Sequence, residues 1–139
     1  MDGFRYVRSQ EVEFRDLDGL GHVNNAVYLS YLESAKVDYF RDVVGADRLE
    51  DLGIVADVQI AYRSPAFFGE TLQIGVRVGR VGTKSLGFEF ELRGRDGRLV
   101  AEASSAHVTF DYDTRTPAPV PEEWRRRIEA YEAETLAAT

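Results

Sequence analysis

At 139 residues, with 44% hydrophobic and 29% charged side chains, the chain fits one globular domain with a real core, neither disordered nor fibrous. A net charge of -7 argues against a general nucleic-acid or anionic-membrane surface, since both favour a basic face. Cysteine is absent, which removes disulfides, thiolate metal sites and cysteine nucleophiles together.

The first residues, Met1-Asp2-Gly3-Phe4-Arg5, lack a basic start followed by an apolar run, so no signal peptide is expected. No stretch approaches the ~20 apolar residues of a membrane span, and a cytoplasmic protein is the expectation. From Phe4 to Phe14 the chain predicts a half-buried strand, with Tyr6, Val12 and Phe14 on one parity. The segment Arg15 to Asn25 is rich in residues that build loops and caps. A long helix is predicted over about 24–44. Tyr28, Leu29, Leu32, Ala35, Tyr39, Phe40 and Val43 recur there at helical spacing, Asn24 or Asn25 is the natural N-cap, and Gly45 is the stop signal.

Alternation then takes over. Ile54, Ala56, Val58, Ile60 and Tyr62 predict one strand, and Leu72, Ile74, Val76 and Val78 a second. A turn at Gly79-Arg80-Val81-Gly82 leads to a third through Leu86, Phe88, Phe90 and Leu92. Asp96-Gly97 is the strongest hairpin signal, and the strand beyond it runs from about Leu99 to Phe110. A short helix over about 121–135 carries Trp124, Ile128 and Tyr131 on one side. The expectation is therefore a single domain over 1–139, with an antiparallel sheet meandering over about 54–111 after the long helix. One sheet and one long apolar helix must bury each other, an α+β arrangement in which a five-stranded sheet wraps the central helix.

Glu13-Phe14-Arg15-Asp16-Leu17-Asp18-Gly19-Leu20-Gly21-His22-Val23-Asn24-Asn25-Ala26-Val27-Tyr28 resembles the 4-hydroxybenzoyl-CoA thioesterase-like family, above all its long-chain acyl-CoA thioesterase branch. In that branch an Asp-x-Asp pair, a Gly-His-Val-Asn-Asn run and a Tyr near the helix start occur together. Tyr62-Arg63-Ser64-Pro65 with Gly69-Glu70-Thr71-Leu72 looks like the family's connection between its second and third strands. The resemblance implies the hotdog fold, acyl-CoA hydrolysis without a cofactor, and a homodimer, with a homotetramer left open. It places the catalytic carboxylate on Asp18.

The chemistry is consistent with these residues. A thioester carbonyl is electrophilic, and its thiol leaving group, with a pKa of roughly 8.5, departs as thiolate without a strong acid. What remains necessary is an oxyanion donor and a nucleophile, or a base that activates water. A helix opening at Asn24-Asn25 offers unpaired backbone amides and the positive end of its dipole, with the N–H of Asn25 or Ala26 as the expected donor. A free aspartate is ionised at neutral pH, so Asp18 can serve as nucleophile or base.

Plainer roles compete for the neighbouring residues. Asp16 is expected to fix the loop through backbone hydrogen bonds, and Asn24 to cap the helix beside the substrate. His22 is expected to orient Asp18 rather than act as the base. Tyr28 lies between core and acyl pocket. Arg63 and Lys84, with Arg80 and the Arg93-Gly94-Arg95 run, are candidates for CoA phosphates, although charged strand ends are usually just solvated. His22 and His107 lack metal-ligand spacing, so no metal is expected. Two alternatives stand beside hydrolysis. One is a hydratase or dehydratase using an Asp–His pair on the same fold, and the other is a non-catalytic acyl-CoA-binding module.

Overall fold

The computed structural model describes residues 1–46 and 48–138. Strand β1 spans Tyr6–Glu11, helix α1 Val27–Tyr39, and strands β2 to β5 Ile54–Tyr62, Thr71–Val81, Ser85–Arg93 and Leu99–Val108. A small ribbon of β6 (Phe110–Asp111) and β7 (Thr116–Pro117), which the sequence patterns did not signal, precedes helix α2 (Glu122–Ala138).

Helix α1 buries Tyr28, Tyr31, Leu32, Ala35, Lys36 and Tyr39, a stripe spaced by three and four residues that faces the sheet. Leu29, expected on that face, is 40% exposed, and Lys36 takes a place on it instead. The helix starts at Val27 rather than at 24. The side-chain Oδ1 of Asn24 accepts the Ala26 N–H at 2.9 Å, and the Asn24 carbonyl accepts the Val27 N–H at 2.9 Å. Asn24 therefore caps a turn just before the helix, a local use of its side chain that propensity alone cannot separate from a helix cap. At the other end the helix widens into a π turn over Phe40–Val44 and stops at Gly45, whose φ of 82° requires a residue without a β-carbon.

Five antiparallel strands form one sheet in the order β1-β3-β4-β5-β2. The expected meander over 54–111 holds only for β3, β4 and β5; β2 pairs with β5 at the far edge, with Ile60 opposite Ala103 and Tyr62 opposite Ala101. Short turns close β3 on β4 and β4 on β5. The longer segment 63–70, with Pro65 in it, instead carries the chain from one edge of the sheet across to β3. The inner face of β4 is Leu86, Phe88, Phe90 and Leu92, all buried in the core as the alternation required, with Phe88 edge-on to Tyr39 of α1. This is the hotdog arrangement, a curled sheet around one helix.

Two further expectations need correction. The first strand ends at Glu11, and Phe14, assigned to its buried parity, is 77% exposed. The Asp16 carboxylate accepts the Glu13 N–H at 3.0 Å and turns the chain into a short 3-10 segment there. Gly79 is not in a turn either. Strand β3 runs on to Val81 with a bulge between Val78 and Arg80. Beside the bulge, and just past the last β1–β3 pair at Tyr6 and Val76, the Val78 N–H donates to Glu132 of α2 at 2.8 Å. Trp124, Ile128 and Tyr131 pack α2 onto the core as expected.

Candidate active site

Residues 17–23 fold into a small hairpin. Leu17 bridges Val23, the Asp18 N–H donates to the His22 carbonyl at 2.9 Å, and Gly21 turns the chain with φ 86°. The hairpin is anchored on both sides. The Val23 N–H donates to the Ala66 carbonyl at 2.9 Å, and His22 bridges Phe67, which ties the loop to the segment after β2. The Asn24 N–H donates to the Asp16 carbonyl at 2.9 Å, and the Tyr31 hydroxyl of α1 donates to the Asp16 carboxylate at 2.6 Å. Burial, and then Asp16 itself, raise the pKa of Tyr31, so its hydroxyl stays a donor. Asp16 is thus the bracket between loop and helix.

The Asp18 side chain sits on the shoulder of this hairpin. One carboxylate oxygen accepts the Leu20 N–H at 2.8 Å, and the other lies 3.2 Å from His22 Nδ1. At 26% exposure the carboxylate is held yet reachable. His22 adjoins a cleft of about 240 Å³, lined also by Val23, Asn25, Tyr28, Tyr62, Arg63, Ser64 and Pro65. The amides at the helix mouth differ in what they already bond. Those of Ala26 and Val27 are taken by Asn24, whereas the Asn25 N–H has no hydrogen-bond partner among the described residues. Tyr28 is buried with its ring edge-on to Tyr62 at 5.4 Å, and burial raises its pKa.

The fold therefore gathers Asp18, His22, Asn24, Asn25, Tyr28 and Arg63 at one end of the sheet. Arg63 is engaged there with Glu102, from Nε and from a terminal nitrogen at 3.0 Å each. Lys84 is not gathered. It precedes β4, whereas the cleft lies at the Leu92–Ala101–Tyr62 row, roughly 27 Å along the strand at the usual rise. Arg80 lies near that distant end, Arg93 pairs with Glu91, and Arg95 donates to the Gly69 carbonyl at 2.9 Å. Glu33, on α1, pairs with Lys36 at 3.0 Å.

Sequence reasoning missed three supports. Alternation puts Tyr62 on the inner face of its strand, but its hydroxyl also donates to the Asn25 carbonyl at 2.8 Å. Tyr31, one helical turn from Tyr28, holds Asp16. Glu70 accepts from the Phe67 N–H at 3.1 Å and from Arg98 at 2.6 Å, and Arg98 also donates to the Pro65 carbonyl at 2.7 Å, bracing segment 65–70. Only the Tyr at helical spacing left a trace that pattern could have found. Among the described residues no three His, Cys, Asp or Glu side chains converge as a metal site, and no helix is long and apolar enough to cross a membrane.

The fold, one helix wrapped by one curled sheet, has counterparts among known proteins. The family model of the thioesterase-like superfamily matches residues 12–128. The long-chain acyl-CoA thioesterase FadM of Escherichia coli is 30% identical over 118 residues, covering 81% of this chain and 89% of that protein. A thioesterase from Thermus thermophilus, crystallised with coenzyme A and Zn, superposes with a TM-score of 0.87 at 38% identity over 96% of this chain and 98% of its own. The PA5185 protein from Pseudomonas aeruginosa PAO1 superposes at 0.84 with 27% identity, covering 92% of each chain. The chain belongs to the hotdog-fold thioesterase-like superfamily.

Proposed function

We propose that this protein hydrolyses acyl-CoA thioesters to the free acid and CoA, with Asp18 as nucleophile or general base and the Asn25 N–H as oxyanion donor. One observation carries the reading. A partly exposed carboxylate, oriented by the Leu20 N–H and His22, stands on a loop bonded to the same helix mouth whose Asn25 amide is left without a partner among the described residues. Negative charge developing on the acyl oxygen gains there from the amide and from the helix dipole, in a position prepared before substrate arrives. Asp18 either adds to the carbonyl carbon, expelling CoA thiolate and leaving a mixed anhydride that water splits, or takes a proton from the water that adds instead. Asn24 and Tyr28 line the acyl side, and Arg63 offers its guanidinium to a CoA phosphate by exchange with Glu102. The thioesterases named above, one of them bound to coenzyme A, support the substrate class. Apolar side chains on the two loops that carry the site, Phe14, Leu20 and Phe68, are exposed at 77%, 81% and 61% and suit a long acyl chain.

The open edge of β2, with Ile54 exposed at 42%, supports assembly as a homodimer through that edge. Sedimentation at micromolar concentration reads the assembly directly. The activity is tested by thiol release across short, long and aromatic acyl-CoAs. The expected result is release from at least one class and a fall of at least about 10²-fold in Asp18→Ala with its fold intact. Enoyl hydration without thiol release would favour the hydratase alternative, and tight binding without turnover a carrier.

A further inference from the structure

The geometry points to Tyr62 as a positioning residue: its hydroxyl, reaching from the edge strand to the Asn25 carbonyl, sets the helix-mouth amides for the acyl oxygen. This rests on the proposed hydrolysis and adds a residue to it. The peptide joining Asn25 to Ala26 is held at both ends. Its carbonyl accepts the Tyr62 hydroxyl at 2.8 Å, and its N–H donates to Asn24 Oδ1 at 2.9 Å. The two partners come from different parts of the chain, one from the last residue of β2 and one from the turn before α1. A peptide held from both sides resists rotation, and the neighbouring Asn24–Asn25 peptide, whose N–H is unpartnered among the described residues and whose carbonyl accepts the Val27 N–H at 2.9 Å, is braced through it at Asn25. Hydrogen bonds in a chain also polarise one another, so a donor on the carbonyl strengthens the Asn24 cap beyond it.

The bond is not needed to hold the fold. Tyr62 is 45% exposed, and its ring keeps its edge-on contact with Tyr28 and its place in β2 without the hydroxyl. An exposed neutral hydrogen bond of this kind contributes little to stability, and water can replace it. What water cannot supply is a fixed direction for the amide. A tyrosine spent only on packing would leave its hydroxyl in solvent, yet this one spans from the sheet edge to the backbone of the residue beside the reacting carbonyl.

The test is Tyr62→Phe assayed beside the wild type. The variant is expected to melt within a few degrees of the wild type and keep KM within about twofold, while kcat falls roughly tenfold to thirtyfold, as for a displaced but undeleted catalytic group. A second readout separates positioning from packing. A CoA trifluoromethyl ketone, which hydrates to a tetrahedral mimic, should lose affinity by the same factor as kcat, whereas the plain methylene ketone analogue should bind both proteins alike. Unchanged kcat, or equal losses for both ketones, overturns the proposal. If Tyr62→Phe proves less stable, kcat per folded molecule, read below its melting range in a double cycle with Asn24→Ala, decides. Two groups holding one peptide give losses in kcat that are less than multiplicative, and fully multiplicative losses contradict the role. A wild type inactive on every acyl-CoA would instead strike the hydrolase reading, leaving a distinct signature.

Discussion

Two carboxylates in this molecule each accept a backbone N–H that no strand partner takes, and their surroundings give them opposite uses. Asp18 takes the Leu20 N–H inside a surface hairpin and remains a quarter exposed, with His22 beside it. Glu132 takes the Val78 N–H at the β3 bulge and the Tyr39 hydroxyl at 3.1 Å, and is only 2% exposed. Its other oxygen is buried with no partner among the described residues, and burial raises its pKa. A buried carboxylate that answers two protein donors is a rivet between α2 and the sheet. A half-open carboxylate with a free approach is equipped to meet a ligand. Accessibility, more than residue type, separates the two.

The comparison breaks most visibly on substitution. Asp18→Asn should remove at least about 10²-fold of kcat while the melting temperature stays within a few degrees, read by thiol release and calorimetry. Glu132→Ala should do the reverse. Leaving the Val78 N–H and the Tyr39 hydroxyl unsatisfied costs about 2–4 kcal/mol in denaturant unfolding, with kcat per folded molecule close to wild type. If Glu132→Ala lost activity without losing stability, the division of labour would be wrong.

Acid titration sharpens it further. His107 is buried at 2% exposure with neither ring nitrogen hydrogen-bonded among the described residues, and burial, with Lys36 nearby, lowers its pKa from 6.5 to about 3. Its folded pKa is depressed, so the stability it contributes is present above pH 6.5 and is lost progressively as pH falls towards 3, up to several kcal/mol. Glu132 has the opposite sign. Its folded pKa is raised, so its contribution is fully present below the unfolded value and is lost as pH rises through the folded one. Unfolding of the wild type against His107→Gln should show a shallower acid limb in the variant, and Glu132→Gln should lose the gain on mild acidification. The smallest effect is expected from Tyr31→Phe. Loss of the Asp16 bond should cost about 1 kcal/mol and lower kcat a few-fold by loosening the loop, seen as faster amide exchange over 16–24.

Much of the architecture was legible because it is periodic. The alternation through Leu86, Phe88, Phe90 and Leu92 and the helical stripe through Tyr28, Leu32 and Tyr39 are enforced by burial on one face, and they appear where the pattern puts them. The site loop was legible through its motif and the resemblance it carries. Partners remote in sequence were not. Nothing local says that β2 pairs with β5, that Gly79 sits in a bulge, that the Val78 amide meets Glu132, or that the Tyr62 hydroxyl closes on Asn25 thirty-seven residues away. Buried polar groups such as Lys36 and His107 escape for the same reason, since burial of a charge is decided by what the far strands bring against it. Asn24 reads as a cap, but whether an Asn caps a helix or the turn before it depends on a shift of two residues that composition does not encode.

A crystal structure of the protein with a methylene ketone analogue of its best acyl-CoA substrate addresses the site most directly. The ketone oxygen should lie about 3 Å from the Asn25 amide, with an Asp18 oxygen beside the carbonyl carbon, directly or through one water. A ketone lodged elsewhere, with the Asp18 carboxylate turned to solvent away from the position of the sulfur, would contradict the assignment.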